Sequence, residues 1–108
     1  MPYDLELAER MRAALSGRQD IVEKKMFGGY CWILNGNMFC GVEVGRFMFR
    51  VGKEREAKAL ERAGASPMDI SRRPMAGFLW VSARHADGAA QRSWIGLAEE
   101  YVGQLPPK

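Results

Sequence analysis

Early in the chain Leu7, Ala8, Met11, Ala14 and Leu15 recur at i, i+1, i+4, i+7 and i+8, with Glu6, Glu9, Arg10 and Arg12 outside the stripe. That spacing marks one face of a 3.6-residue turn and predicts a helix from about Asp4 to Leu15. Asp4 is the expected cap, and Ser16 with Gly17 the expected stop. From Ile21 the period shortens to two, so Val22 to Val51 reads as strands divided by turn residues. Asn35-Gly36 is the sharpest signal, because a type I′ hairpin turn needs positive φ at both central positions and this pair tolerates it best.

With a two-residue loop at 35 and 36, Leu34 faces Asn37, Ile33 faces Met38, Trp32 faces Phe39 and Cys31 faces Cys40. A second tight turn at Val44-Gly45 pairs Val42 with Phe47 and Cys40 with Phe49, giving a three-stranded meander. Side chains alternate across a pleated sheet. This register therefore puts Cys31, Ile33, Met38, Cys40, Val42, Phe47 and Phe49 on one face, and Tyr30, Trp32, Leu34, Phe39, Met48 and Arg50 on the other. Both faces are apolar.

Lys53 to Ala63 is rich in good helix formers and stops at Gly64; its narrow stripe of Ala57, Leu60 and Ala63 predicts a surface helix. Ser66 to Gly77, with two prolines, reads as a loop or an irregular edge strand, and Phe78 to Ala83 as a strand. Ala90, Trp94, Leu97, Ala98, Tyr101 and Leu105 form the apolar side of a last helix that follows Asp87-Gly88, packs on the sheet and ends at Pro106-Pro107. The expected architecture is one two-layer α+β domain over residues 1–108: N-terminal helix, antiparallel meander, helix, further strands, C-terminal helix.

Composition narrows the chemistry. A chain of 108 residues is the size of one domain, and 47% hydrophobic with 27% charged residues is enough to build a core rather than a disordered tail. Apolar runs such as Phe78 to Val81 are far too short to span a bilayer, and Met1 to Arg12 mixes charged with apolar side chains, unlike a signal peptide. A cytoplasmic location is expected, with no membrane partner. The net charge of +3 permits contact with phosphates or acidic partners without demanding it.

Structural zinc takes four Cys or His ligands, whereas two cysteines and one histidine are available, so neither metal nor cofactor is expected. Nucleophilic catalysis would need Cys31 or Cys40 beside His85, which falls in a loop; Glu99 and Glu100 diverge by about 100° on a helix. Gly28-Gly29 lacks the spacing and terminal Lys-Ser or Lys-Thr of a phosphate loop. No enzyme is expected. What stands out is the second face, where Tyr30, Trp32, Phe39 and Met48 beside Arg50 suit a protein partner or a homodimer, or, more weakly, nucleic acid stacked on the rings. Arg46, Arg50, Arg72, Arg73 and Arg84 are candidates for a basic patch. As direct neighbours across the hairpin, Cys31 and Cys40 are a candidate redox pair.

Met26-Phe27-Gly28-Gly29-Tyr30, the Asn35-Gly36 turn, Met38-Phe39, the strand Arg46 to Arg50, the Trp94 helix and the Leu-Pro-Pro-Lys ending together resemble the TfoX N-terminal domain-like family. The resemblance spans nearly the whole chain. It implies a two-layer domain similar to YjbR-like and secretion-chaperone-like folds, no enzyme, and a regulatory or protein-interaction module. Longer proteins of this kind regulate natural competence and carry a second, C-terminal domain; with a single domain expected here, that role is not carried over.

Overall fold

The computed structural model describes residues 5–26, 29–43, 45–70 and 73–107. Helix α1 (Leu5–Ala14) precedes strands β1 (Ile21–Met26), β2 (Gly29–Leu34), β3 (Asn37–Glu43) and β4 (Arg46–Arg50). Helix α2 (Lys53–Ala59) follows, then β5 (Ala65–Ile70), β6 (Arg73–Ser82), a single 3₁₀ turn (Ala83–His85) and α3 (Gly88–Val102). The strands form one antiparallel sheet in the order β1-β2-β3-β4-β6-β5. The architecture is α+β, as the hydrophobic pattern predicts. The expected helix cap at Asp4 and the arginine at 72 lie outside the described residues.

The 35–36 turn takes the backbone its sequence demands, with φ of 53° at Asn35 and 84° at Gly36. Leu34 pairs with Asn37 and Ile33 with Met38 as expected, but Trp32 then faces Cys40 and Cys31 faces Gly41. Phe39 is an extra residue on β3, a β-bulge that a symmetric count from the turn cannot see. Beyond the turn β3 still pairs Val42 with Phe47 and Cys40 with Phe49, so every residue past the bulge keeps its partner while changing sides relative to β2. Phe39 and Cys40, both at 0% exposure, turn into the same core.

The sequence register therefore sorts the faces incorrectly. Trp32, Leu34, Phe39, Cys40, Val42, Phe47 and Phe49 join Leu79 and Val81 on one side of the sheet. Against it pack Leu7, Ala8, Met11 and Leu15 from the α1 end, Ala59 of α2, and Trp94, Ile95, Ala98 and Val102 of α3. Trp94 stacks on Phe49 with ring centroids 5.6 Å apart and planes 18° from parallel. Arg12 ties α1 to the sheet through both oxygens of Glu23, at 2.7 and 2.8 Å, and lies 5.1 Å from the Tyr30 ring. The guanidinium of Arg12 holds the Glu23 carboxyl below its usual range, helped by a hydrogen bond from Trp32.

Other boundaries moved for identifiable reasons. The stripe of α3 is centred on Gln91, Trp94, Ile95, Ala98 and Val102, one step round from the expected line, with Leu97, Tyr101 and Leu105 at its margin. Helix α2 ends at Ala59 and the chain turns to Gly64, whose φ of 82° places it where an imidazole, that of His85, packs too closely for any Cβ. Of the two expectations for Ser66 to Gly77 the irregular edge strand holds: β5 pairs with β6 at the far edge of the sheet, with Pro67 in β5 beside a second bulge. A proline is tolerated there because an edge strand leaves one side of its backbone unpaired.

Candidate interaction surface

Among the described residues, no helix contributes to the opposite side of the sheet. There Cys31, Met48, Met68 and Trp80 form a second, smaller buried cluster, with Met38 and Phe78 half-buried against it. Direct cross-strand partners share a face, so Val22, opposite Ile33, and Lys24, opposite Cys31, stand on this side too. Gly41 is what lets the inner strip close: a Cβ there would sit 3.3 Å from Cys31 Sγ and 3.4 Å from Met48 Cε.

Arginines cover the rings. The Arg46 guanidinium lies 3.8 Å from the centre of the Trp80 ring while its Nε and Nη2 donate to one oxygen of Glu43 at 2.9 and 2.7 Å. Arg50 lies 5.1 Å from Phe78 and 5.8 Å from Tyr101. The result is a band of methionine and aromatic carbon edged by Lys24, Arg46 and Arg50, with Glu43 its one described carboxylate in contact with them. Val22 is 54% exposed, so apolar surface runs on to the β1 edge.

The five residues expected to share a contact surface are thus divided. Tyr30, Trp32 and Phe39 lie on the helix side, Trp32 and Phe39 buried and Tyr30 half-buried; Met48 lies on the helix-free side, and Arg50 at its margin, between Phe78 and Tyr101 of α3. The bulge at Phe39 is the cause. Trp80, Phe78 and Met68 take the places assigned to Trp32 and Phe39. The alternation of Phe78 and Trp80 with Leu79 and Val81 carries that signal, and leaving 66–77 open between loop and edge strand hides it. Of the candidate basic patch, Arg46 and Arg50 share this face, Arg84 is exposed on the 3₁₀ turn, Arg73 opens β6, and 72 is outside the described residues.

The candidate redox pair is also separated. Cys31 and Cys40 are both free thiols, Cys40 in the helix-side core and Cys31 in the second cluster, so their Cβ vectors point away from each other across the sheet. A disulfide needs the two Cβ atoms within about 3.5–4.5 Å and facing, which here would require the strands to move. Burial raises the Cys31 thiol pKa from 9.0 to about 11 and pushes Cys40 well above its ordinary value. Neither thiol should react with an aromatic disulfide reagent at pH 7.5 until denaturant is added. A raised thiol pKa also has a stability consequence. Between pH 9.0 and about 11 the unfolded thiol loses its proton while the folded Cys31 keeps it, so stability falls as pH rises through that window. Comparing urea midpoints of the wild type and Cys31→Ala from pH 8 to 11 should show the steeper decline in the wild type; parallel curves would contradict the burial of this thiol.

His85, the sole imidazole, packs on Gly64, its Nδ1 buried without a hydrogen-bond partner among the described residues. No three of His, Cys, Asp and Glu gather as a metal-holding group among the described residues, and none of the described helices is long and apolar enough to cross a membrane.

A six-stranded antiparallel sheet with helices on one side and a cation-edged apolar band on the other defines a two-layer α+β domain with one face that no described helix covers. The family model of the TfoX N-terminal domain matches residues 13–101, and the chain belongs to that family. No curated protein and no solved structure matches it.

Proposed function

We propose that this chain is a non-enzymatic regulatory module that binds a protein partner through the helix-free face of its sheet. The observation that carries the reading is the one-sided packing: a sheet with a second apolar surface, ringed by Lys24, Arg46 and Arg50, matches the aromatic, methionine and arginine enrichment of interface cores. Those cations favour an acidic partner surface, which would pair with them as the rings are covered. Family membership agrees with a TfoX-like regulatory domain. Two buried, unpaired thiols suit a reducing compartment, in keeping with a cytoplasmic site of action.

Affinity purification from the native cell, with wild type and with a Val22→Glu, Arg46→Glu double variant, tests the reading. Both positions are on the surface, so the variant should fold. A partner retained by the wild type and lost at least tenfold by the variant supports it; an unchanged set of partners refutes it. The same face makes nucleic acid the second reading, because Arg46 and Arg50 stand beside aromatic rings as in single-strand binders. That version requires association with oligonucleotides at low salt that weakens steeply as salt is added.

A further inference from the structure

A cavity of about 490 Å³ opens where the end of β4, the start of α2 and the end of α3 meet. Its walls include Arg50, Lys53, Arg55, Tyr101 and Gln104, and its floor is backbone from Val51-Gly52 and Ala76-Gly77. We propose that it binds a small organic anion, held through a phosphate or carboxylate group by Arg50 and Lys53. The volume lies within the roughly 300–1,000 Å³ range of small-molecule sites. The proposal does not rest on the partner-binding reading: the cavity is at the end of the domain, and of the three cations ringing the helix-free face Arg50 alone lines it.

The floor is rigid and bare by construction. Val51 and Gly52 both donate their N–H groups to the Gly77 carbonyl, at 2.8 and 3.2 Å, and the Gly77 N–H donates to Glu56 Oε1. Gly52 and Gly77 have φ of 89° and 85°; a Cβ on Gly52 would come within 2.5 Å of the Tyr101 ring, and one on Gly77 within 3.0 Å of Gly52. Side chains at these two positions are therefore excluded on both conformational and steric grounds.

Charge supplies the ligand class. Arg55 is satisfied by Glu100 at 2.8 Å. Arg50 and Lys53 have no carboxylate partner among the described residues, although two other arginines, Arg12 and Arg18, have two each. Arg50 is half-buried and held between contacts to Phe78 and Tyr101, and its one hydrogen bond to a described residue is a long one, 3.4 Å, to the Met38 carbonyl. Ring contacts stabilise a cation without using its donors, and a guanidinium has five N–H groups in a plane suited to phosphate or carboxylate. Glu54 also lines the cavity; with Arg55 already paired to Glu100, the two unpaired lining cations, Arg50 and Lys53, outnumber it two to one. The Tyr101 ring and Gln104 amide then offer contacts to the organic part.

Titration of the ¹⁵N-labelled chain with inorganic phosphate, citrate and uridine monophosphate at constant ionic strength tests this. Saturable movement of the Gly52, Gly77, Tyr101 and Gln104 amide signals is expected with at least one of them, and Lys53→Gln and Arg50→Gln should each weaken it at least fivefold. Response to phosphate and the nucleotide but not citrate assigns a phosphorylated ligand; response to citrate alone assigns a carboxylate. Shifts no larger than those from sodium chloride, or equal binding by the Lys53→Gln variant, whose exposed side chain leaves the fold intact, overturn the proposal. Val22→Glu with Arg46→Glu should leave this binding unchanged, so the two sites fail or stand independently.

Discussion

Replacing Trp94 with alanine should cost about 3–5 kcal/mol, a large share of the roughly 5–15 kcal/mol that holds a domain of this size together. Trp94 is 1% exposed, stacks on Phe49 and carries the Arg62 guanidinium 4.4 Å from its ring centre. It is the side chain through which α3 grips the middle of the sheet. Truncation would leave a cavity bounded by Phe49 on a strand paired on both sides, where the backbone has little freedom to collapse. Urea unfolding followed by circular dichroism measures the loss, and Trp94→Phe should recover part of it by restoring a stacked ring. A loss below about 1 kcal/mol, the scale of a typical surface change, would mean that α3 is not anchored through this residue.

Gly29→Ala should be the most damaging of the glycine substitutions, at about 3 kcal/mol or more, the upper end of overpacking costs. An added Cβ would lie 2.1 Å from the Val42 carbonyl oxygen and 3.2 Å from its carbon, so the obstacle is the backbone of the neighbouring strand and no rotamer relieves it. Gly17 is the control: its φ is 84°, but nothing lies within 4 Å of its Cβ position. Gly17→Ala then pays only for an unfavourable backbone conformation, about 1–2 kcal/mol. If the two variants unfold at the same urea concentration, close approach of β2 to β3 is not the reason for a glycine at 29. The second glycine of the Met-Phe-Gly-Gly-Tyr segment thus has a packing reason, independent of any ligand.

How far the sequence could be read depended on the range of the interactions involved. Asn35-Gly36 dictates its own turn, and the apolar spacing of α1 and α3 dictates which helices pack, because both signals reside within a few residues. Phe39 carries no such signal. Whether it pairs with Trp32 or bulges is settled by the fit of two strands and the helices beneath them, and that one residue moved Cys40, Phe47 and Phe49 to the helix side and Met48 and Arg50 to the other. The idea of an apolar second face with arginine beside it was legible; its membership was not. Strand β5 was obscured by Pro67 and Pro74, since prolines argue against a strand unless it is known to lie at an edge. The cavity near Gly52 and Gly77 joins segments about 25 residues apart and has no local pattern at all.

The two outer strands of the sheet, β1 and β5, bear on how a partner can attach. The first presents Glu23, Lys24 and Lys25 in succession, and the second is interrupted by Pro67 and its bulge. Charged and proline-bearing borders discourage another chain from continuing the hydrogen-bonded ladder. Recruitment should consequently proceed by side chains laid flat across the broad surface rather than by strand addition, and concentrated solutions of the protein should stay free of fibrous polymer.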